Sequence, residues 1–412
     1  MRTILFTTTI LAPAAALAGG YVIPTESPRD LALSQSAVAA QTGAEAILLN
    51  VSALAGQDGL DASLAGEYLS NRTDWSDPSA GSASLVPQSS LPPTAAVGYG
   101  ARLDNGMGWG AGIGFGVVGG GTIKWPNGWA GQEQIQSVTQ RVYQMAAGVA
   151  FQPLPYLKVG ANYIRYQETL ELHQELNYLD HYGDAGLALS GGGNSFGVAA
   201  EFSVPTLPLT IGATYRHSAD LSLSGDAHFV AVPAGFQTLL HDQGVTEHVT
   251  FPNFADIGAA YEVIPNLKVM ASVSFERWSV YDKDTFVGND GFMATVARNY
   301  KDAYVYRVGG EWQHVPFLPP LTLRAGGLRS ESNQPRNTVS PSLTDGNSTA
   351  VSVGAGYDVI PGMRIDLGYQ HAFFDKVTAN DENTFPGTYK TQVDLVSLGI
   401  NWRTDLKFLG GQ

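Results

Sequence analysis

The chain contains no cysteine among its 412 residues, which excludes a fold stapled by disulfide bridges. Charged residues are also scarce. Asp, Glu, Lys and Arg together make up 15% of the chain, whereas a soluble globular domain averages about a quarter. The formal net charge is −14, and binding to nucleic-acid phosphates requires a basic surface. We therefore expect no nucleic-acid partner.

Glycine and aromatic residues are abundant, with 48 Gly, 18 Tyr, 17 Phe and 7 Trp. Residues 251–281 show the pattern that organises them. Apolar and small or polar side chains alternate on both sides of Pro265-Asn266, and a period of two is typical of a strand with two different faces. Proline followed by asparagine suits the tight turn between the two strands. The same unit recurs around Pro361-Gly362. These features favour strands that pass through lipid.

Six short connections join pairs of alternating runs of about ten residues, the length that a tilted strand needs to cross a membrane. Longer, polar, Gly-rich connections join the other ends. We therefore predict an all-β membrane protein, a 14-stranded antiparallel transmembrane β-barrel with both chain ends on the periplasmic side. The predicted strands are 60–73, 93–104, 107–118, 138–151, 156–168, 195–203, 207–217, 248–263, 267–281, 301–314, 321–330, 348–359, 363–374 and 390–403.

The chain before the barrel divides into two parts. Residues 1–18 carry Arg2, an apolar centre and an Ala16-Leu17-Ala18 cleavage signal, so they are predicted to be a signal peptide. Residues 19–58 contain two short apolar segments at helical spacing, and Ser27 can cap the first. We predict that they form a helical hatch, or plug, inside the lumen; a periplasmic tail is the alternative. The barrel then occupies residues 59–403, followed by a C-terminal tail, 404–412.

Two long loops are candidates for ligand binding. The loop after the fifth predicted strand is expected to form an amphipathic helix over about 168–182. Apolar side chains in such loops mark binding sites, although the two loops can also pack on each other as a lid. The candidate residues are Leu172, Leu176, Leu179, Phe229, Phe236, Leu239 and Leu240.

The third predicted strand ends in Gly119-Gly120-Gly121, followed by Trp125 and Trp129. The glycines have no side chains to support the strand ladder, so they predict a bend away from the wall. The two tryptophans are interpreted as membrane-interface anchors. Their alternative role is an aromatic surface through which an apolar ligand enters.

The sequence motifs give little support for a catalytic site or a metal site. Gly193 to Gly197 match G-x-S-x-G around Ser195, but a nucleophile elbow needs a helix after the serine, and here a strand follows. The histidines lack metal-ligand spacing, and a P-loop is absent. We expect no catalytic residue, no metal ion and no cofactor.

Four stretches, 209–216, 275–279, 301–312 and 321–327, resemble the FadL/TodX (OMPP1) family of outer-membrane transporters for long-chain fatty acids and other hydrophobic compounds. The resemblance implies a Gram-negative outer membrane, a hatch, capture of ligand by extracellular loops and lateral release beside an inward-bent strand. It also implies a monomer. The family's hatch motif is Asn-Pro-Ala. Here Asn50, Ser52 and Ala53 match its place, with Val51-Ser52 replacing the proline.

The predicted function is passive uptake of hydrophobic small molecules across the outer membrane, with the ligand and the surrounding lipid as partners. Since no nucleotide motif is present, the ligand's own gradient would drive transport. Two alternatives remain. A general porin would have an open lumen without a functional plug, and an outer-membrane esterase would depend on Ser195.

Overall fold

A computed structural model describes residues 27–103, 105–178, 181–380 and 384–405. The predicted signal peptide, most of the C-terminal tail and the candidate Leu179 lie outside these residues. The described part is mostly β-strand. Its helices are short: an α-helix, Pro28–Ala32, and 3₁₀ helices at Ala44–Ile47, Val51–Gly56, Trp278–Val280 and Arg336–Thr338.

Fourteen strands of the described residues form the barrel wall, and each is antiparallel to its neighbours. The first pairs with the last from Leu60 opposite Thr404 to Ser76 opposite Thr388, which closes the barrel and confirms the predicted fold. The strands are β1 Gly59–Asp77, β2 Pro93–Arg102, β3 Gly108–Lys124, β4 Ser137–Leu154, β5 Leu157–Asn177, β6 Tyr182–Ser203, β7 Leu209–Arg216, β8 Phe254–Ile264, β9 Leu267–Glu276, β10 Ala303–Trp312, β11 Leu321–Ser330, β12 Ser348–Ile360, β13 Met363–Phe374 and β14 Gly387–Thr404.

The alternation in the sequence sorts the side chains onto two faces of the wall. Apolar side chains such as Ile113 and Val149 are exposed on the outer face, whereas Glu311, Arg324 and Asp366 are buried on the inner face. Charges on the lipid face would cost about 2–4 kcal/mol each near the bilayer centre, which explains this sorting. Outward aromatic residues form belts at the strand ends, among them Phe202, Tyr261, Tyr357, Tyr369 and Trp402.

Within the described ranges, no helix has both the length and the apolar character needed to cross a bilayer.

Several strands continue beyond the wall into an outer sheet. β5 and β6 have 21 and 22 residues and stay paired up to Asn177 opposite Tyr182. The helix predicted over 168–182 is therefore wrong for most of that segment. Leu170 and Leu172 also alternate with Glu171 and His173, and pairing with β6 on one edge and β4 on the other decides for strand. Further outer strands are Ala219–Val230, Gln243–Phe251, Lys283–Gly288 and Met293–Ala297.

Residues 27–58, here called the hatch, pack against the inner face of the wall. Glycines on that face make this close approach possible. A Cβ atom on Gly110 would lie 2.5 Å from the carbonyl carbon of Leu54, and one on Gly326 would lie 2.5 Å from that of Leu33. The glycines that face the hatch in this way include Gly98, Gly100, Gly108, Gly110, Gly112, Gly114, Gly160, Gly212, Gly258, Gly309, Gly326, Gly354, Gly368 and Gly399.

A buried charge network ties the hatch to the wall. Both Nε and Nη2 of Arg29 donate to the carboxylate of Glu311, at 2.8 and 3.0 Å. Glu311 also accepts from Arg324 at 2.7 Å, and Arg324 pairs with Asp366 at 2.6 Å. Bidentate charge-assisted contacts of this kind fix geometry strongly. We call this group the hatch clamp: Arg29, Glu311, Arg324 and Asp366.

Candidate functional site

A cavity of about 100 Å³ lies in the lumen between the hatch and the wall. Its apolar lining comes from both: Val38 and Leu49 on the hatch, Val118 on β3 and Phe254 on β8. The polar lining residues are Asp30, Gln35, Gln41, Asn50, Thr214, Arg216, Asp256, Ser274, Glu276 and Arg307. The cavity thus offers an apolar wall beside a dense set of hydrogen-bonding groups, which is the usual composition of a small-molecule site.

The charged groups around this lumen cavity are engaged with protein atoms. Nη1 of Arg307 lies 3.6 Å from Oδ1 of Asp256 and donates to the hydroxyl of Ser274. Nη2 of Arg216 donates to the carbonyl of Leu48 on the hatch at 2.9 Å. These bonds hold the guanidinium groups in place.

The third wall strand is irregular beside this cavity. The register between β3 and β4 shifts between Val117 and Gly119, which identifies a β-bulge at Val118. Gly120 has a φ of +104°, a backbone conformation that favours glycine. Bulges bend a strand and increase its twist. The structure therefore places the predicted glycine segment at an irregularity of β3, while its predicted gating role stays a prediction.

The same strand lacks a continuous neighbour on its other edge. In the described chain, β2 pairs with β3 only from Arg102 opposite Gly108 to Ala95 opposite Phe115. Just outside the wall at this height is an open groove of about 460 Å³ with an almost wholly apolar lining. The groove is lined by Ala95, Ala96, Val97, Ile113, Gly114, Phe115, Met145, Ala146, Ala147, Tyr163 and Arg165.

The predicted loop residues separate into two groups. Leu172 is fully buried in the apolar core of the outer sheet, and Phe229 packs against that core. Leu176, Phe236 and Leu240 are half-buried, whereas Leu239 is 63% exposed. Because Leu172 lies on a strand instead of a loop helix, the structure does not gather the set in one groove. A ligand role for these residues, and for Leu179, stays a prediction.

The loop after the seventh wall strand does approach the predicted first loop. The rings of Tyr178 and Phe236 lie 5.8 Å apart, and Nε2 of His181 is 2.8 Å from the carbonyl of Ala231. These contacts show that the two segments pack on each other, as in the predicted lid.

Trp125 and Trp129 are buried, so they do not face lipid as interface anchors, and their role toward a ligand stays a prediction. Their rings stack at 4.3 Å, and Trp75 meets Trp129 edge-on at 5.6 Å. The indole nitrogen of Trp125 donates to the carbonyl of Pro341 at 3.1 Å. These tryptophans form part of the apolar core at the barrel mouth, which joins loops that are far apart in the chain.

The predicted hatch residues lie in a turn of the hatch. Nδ2 of Asn50 donates to the carbonyl of Val38 at 2.7 Å, and its Oδ1 accepts from the Ser52 amide and hydroxyl at 3.1 and 2.6 Å. Asn50 thereby caps the 3₁₀ helix that begins at Val51, and Ala53 is buried in that helix. Serine in place of the family's proline supplies a second bond to Asn50.

Ser195 lies in the middle of β6, where its hydroxyl donates to the carbonyl of His217 at 2.6 Å. The strand continues to Ser203, so the strand-to-helix turn of a nucleophile elbow is not formed at this residue.

The sequence reasoning missed Gln35, Val118 and Phe254 as lining residues of the lumen cavity. Arg307 on β10 lines the same cavity as the hatch, and no pattern in the sequence linked this arginine to the hatch. The available signal for Val118 was its position immediately before the triple glycine. No local pattern indicates that Gln35, on a hatch turn, and Phe254, at the start of a wall strand, share one cavity.

The family sequence model described as "Outer membrane protein transport protein (OMPP1/FadL/TodX)" matches residues 9–404. The 47 kDa outer membrane protein of Pasteurella multocida (strain Pm70) is 26% identical over 207 residues, which are 47% of this chain and 46% of that relative. That match thus spans about half the length of the curated relative.

Solved structures with the same fold include a Pseudomonas aeruginosa FadL homologue, with a TM-score of 0.82 and 16% identity, covering 93% of this chain and 99% of that one. The P. putida toluene transporter TodX has a TM-score of 0.72 and 16% identity, covering 91% and 97%. The Ralstonia pickettii toluene transporter TbuX has a TM-score of 0.67 and 17% identity, covering 92% and 98%. At these identities the likeness shows the fold. With the family match over almost the whole length, it follows that the chain belongs to the OMPP1/FadL/TodX family of outer membrane transport proteins and lies in the outer membrane.

Proposed function

We propose that this protein carries hydrophobic small molecules inward across the outer membrane and releases them sideways through its wall. One observation carries the proposal. The lumen cavity reaches Val118 on β3, and the lipid-facing groove reaches Phe115 on the same strand. Three residues of strand span only about 10 Å. A ligand in the cavity is therefore separated from the lipid by the irregular segment of β3.

The irregular segment is suited to opening because a strand ladder holds it along one edge, the edge that pairs with β4. Beyond Phe115, the described residues of β2 give β3 no partner strand. A bulged strand with one free edge can move without breaking two ladders. We assign the gating role to Gly119, Gly120 and Gly121, where backbone motion meets no side-chain obstacle.

Burial of apolar surface would supply the binding energy, at about 25 cal/mol per Å² of apolar area. The ligand's own concentration gradient would supply the driving force. The names of the toluene transporters of this fold support small aromatic hydrocarbons as one ligand class. The resemblance to the FadL/TodX family implies long-chain fatty acids as another.

A general porin is the second function considered from the sequence. The hatch packs inside the wall against glycines of many strands, and Arg29 binds it to Glu311. This favours a carrier of apolar ligands over a porin.

The test is to fill the groove from the lipid side. Ala147 points outward in the groove, so Ala147→Trp should lower the uptake of labelled toluene or oleate severalfold in a Gram-negative host that lacks its own family member. Val149→Trp, two residues along on the same lipid face, is the matched control and should transport normally. Unchanged uptake by the Ala147 variant would overturn lateral release. Failure of the unaltered protein to take up either probe would overturn the transport proposal itself.

A further inference from the structure

Gln35 occupies an unusual position on the hatch. Ser34 and Gln35 both have left-handed backbone, with φ of 48° and 59°, which non-glycine residues rarely adopt. The backbone N–H of Gln35 donates to the carbonyl of Asp30 at 2.9 Å. The hydroxyl of Ser34 lies 2.7 Å from the hydroxyl of Ser352 on β12. The surrounding structure thus holds this turn in a disfavoured conformation.

The turn carries the Gln35 side chain to the junction of two spaces. Gln35 lines the lumen cavity of about 100 Å³ and also a second cavity of about 50 Å³. Arg307 and Glu276 line both as well. Gln35 therefore stands between the two spaces, where an incoming ligand meets it from either side.

Both polar atoms of the Gln35 side chain lack a hydrogen-bond partner within the described residues, although the residue is only 7% exposed. Nearby, Oδ2 of Asp30 and Nε of Arg307 are likewise without a partner in the part of the chain that the structure describes. Buried polar groups are normally paired, and leaving them unpaired is costly. The cavity therefore presents donors and acceptors together, which a ligand group that both donates and accepts would satisfy.

The charges around the lumen cavity disfavour an anionic ligand. Three carboxylates, Asp30, Asp256 and Glu276, face it against two guanidinium groups, Arg216 and Arg307. Nη2 of Arg216 and Nη1 of Arg307 already bind acceptors of the protein, as described above. A carboxylate entering the cavity would leave water for a poorly solvated place that already holds three carboxyl groups, and its desolvation would be costly.

We infer that the lumen cavity selects apolar ligands bearing a neutral hydroxyl group over those bearing a carboxylate, and that the Gln35 amide is the group that recognises the hydroxyl. The hydrocarbon part would lie against Val118 and Phe254, toward the bulge of β3. This inference rests on the proposed transport of hydrophobic molecules, and of the ligand classes considered there it disfavours ionised fatty acids at this cavity.

Binding of octan-1-ol, octanoate and octane to the full chain held in amphipol would test the inference, with protein-free amphipol as the blank. At a pH where octanoate is ionised, octan-1-ol should bind about tenfold more tightly than octanoate, as expected from ordinary hydrogen bonds. Gln35→Met keeps the side-chain length and removes both polar atoms. It should weaken octan-1-ol binding about fivefold to tenfold and leave octane binding unchanged.

The control is Gln152→Met, at a periplasmic turn where the amide donates to the carbonyl of Pro155. It should behave as the unaltered protein. Heat-modifiable migration in gels verifies that each variant is a folded barrel. Gln35→Glu, of equal size, provides a second variant in which octanoate should bind still more weakly.

Three results would overturn the inference. Octanoate could bind as tightly as octan-1-ol, or the Gln35→Met variant could keep the preference for the alcohol, as it would if water alone satisfied the amide. If octan-1-ol and octane bind equally well, the inference also fails, but the proposed transport function stands. Failure of all three probes to bind would overturn both.

Discussion

At the scale of single residues, glycine on the inner face of the wall decides how the hatch is seated. The hatch meets the wall backbone to backbone, since a side chain at Gly110, Gly160 or Gly326 would collide with the backbone of Leu54, Ser52 or Leu33. The chain's 48 glycines, together with its aromatic residues, indicated strands that pass through lipid. Many of the glycines occupy regular strands, where glycine is normally unfavourable.

Gly110→Ala should therefore displace the hatch. The new Cβ would lie 2.5 Å from the carbonyl carbon of Leu54, and backbone of the hatch must shift to relieve the contact. We expect faster proteolysis within residues 27–58 and a lower unfolding temperature. Gly66→Ala is the control, because nothing lies within 4 Å of the added atom. Equal proteolysis of the two variants would contradict the seating described here.

At the scale of elements, the loop 331–347 shows how burial controls a charge outside the membrane. Oδ2 of Asp345 accepts from the hydroxyl of Ser332 at 2.9 Å and the amide of Asn333 at 3.2 Å. Burial nevertheless dominates and raises the pKa of Asp345 to about 8. The indole of Trp125 binds the carbonyl of Pro341 in this loop, so the loop's order affects the core at the barrel mouth.

The loop should loosen as the pH rises. An acid with a raised pKa binds its proton more tightly in the folded state than in the unfolded state. The contribution of Asp345 to the stability of the folded loop is therefore complete below the unfolded pKa near 4 and is lost as the pH rises through about 8. Hydrogen exchange in 331–347, corrected for intrinsic rates, should be faster at about pH 9 than at about pH 5. Asp345→Asn should remove the difference; a pH effect that survives in this variant would assign it to another group.

The bulge in β3 makes a second prediction at this scale. Deleting Gly119 would bring Val117 and Gly120 into the continuous register that the extra residue now interrupts. The strand should straighten, and uptake of toluene or oleate should fall while the barrel stays folded. Deleting Asn127, in the loop beyond β3, is a control for the shortening of the chain. Normal uptake by the Gly119 deletion would show that the bulge is not needed.

At the scale of the whole molecule, the sequence predicts the wall better than its contents. Alternation and short turns yield fourteen strands because each strand meets lipid on one face, a constraint that acts residue by residue. The outer ends of the strands do not contact lipid and are not subject to this constraint. There Leu172, Trp125 and Trp129 enter a core built from loops far apart in the chain, and no local pattern encodes which loops meet. The lumen cavity has the same origin, since Gln35 and Phe254 come together only in the closed barrel.

The hatch clamp should hold the hatch as a unit within the wall. Breaking a buried ion pair by removing one partner costs about 3–5 kcal/mol, so Glu311→Gln should let the hatch unfold at lower urea than the barrel. Conductance across a planar bilayer should then rise at a urea concentration that leaves the unaltered protein closed.

Arg329→Gln is the control for the clamp experiment. It breaks a pair with Asp375 in which both side chains are about half exposed, and such surface pairs contribute little. Its conductance should match that of the unaltered protein. If the Glu311 variant also stayed closed, the seating on glycines would be sufficient to retain the hatch.

The pairing of β1 with β14 has a consequence for biogenesis. The two partners are separated by more of the chain than any other neighbouring pair of wall strands in the described residues, so β1 must keep one edge unsatisfied until nearly all of the polypeptide has been delivered. During that interval the edge is a template for aggregation. A factor that protects the unpaired edge of β1 can dissociate only when β14 arrives, so the last strand of the chain completes assembly.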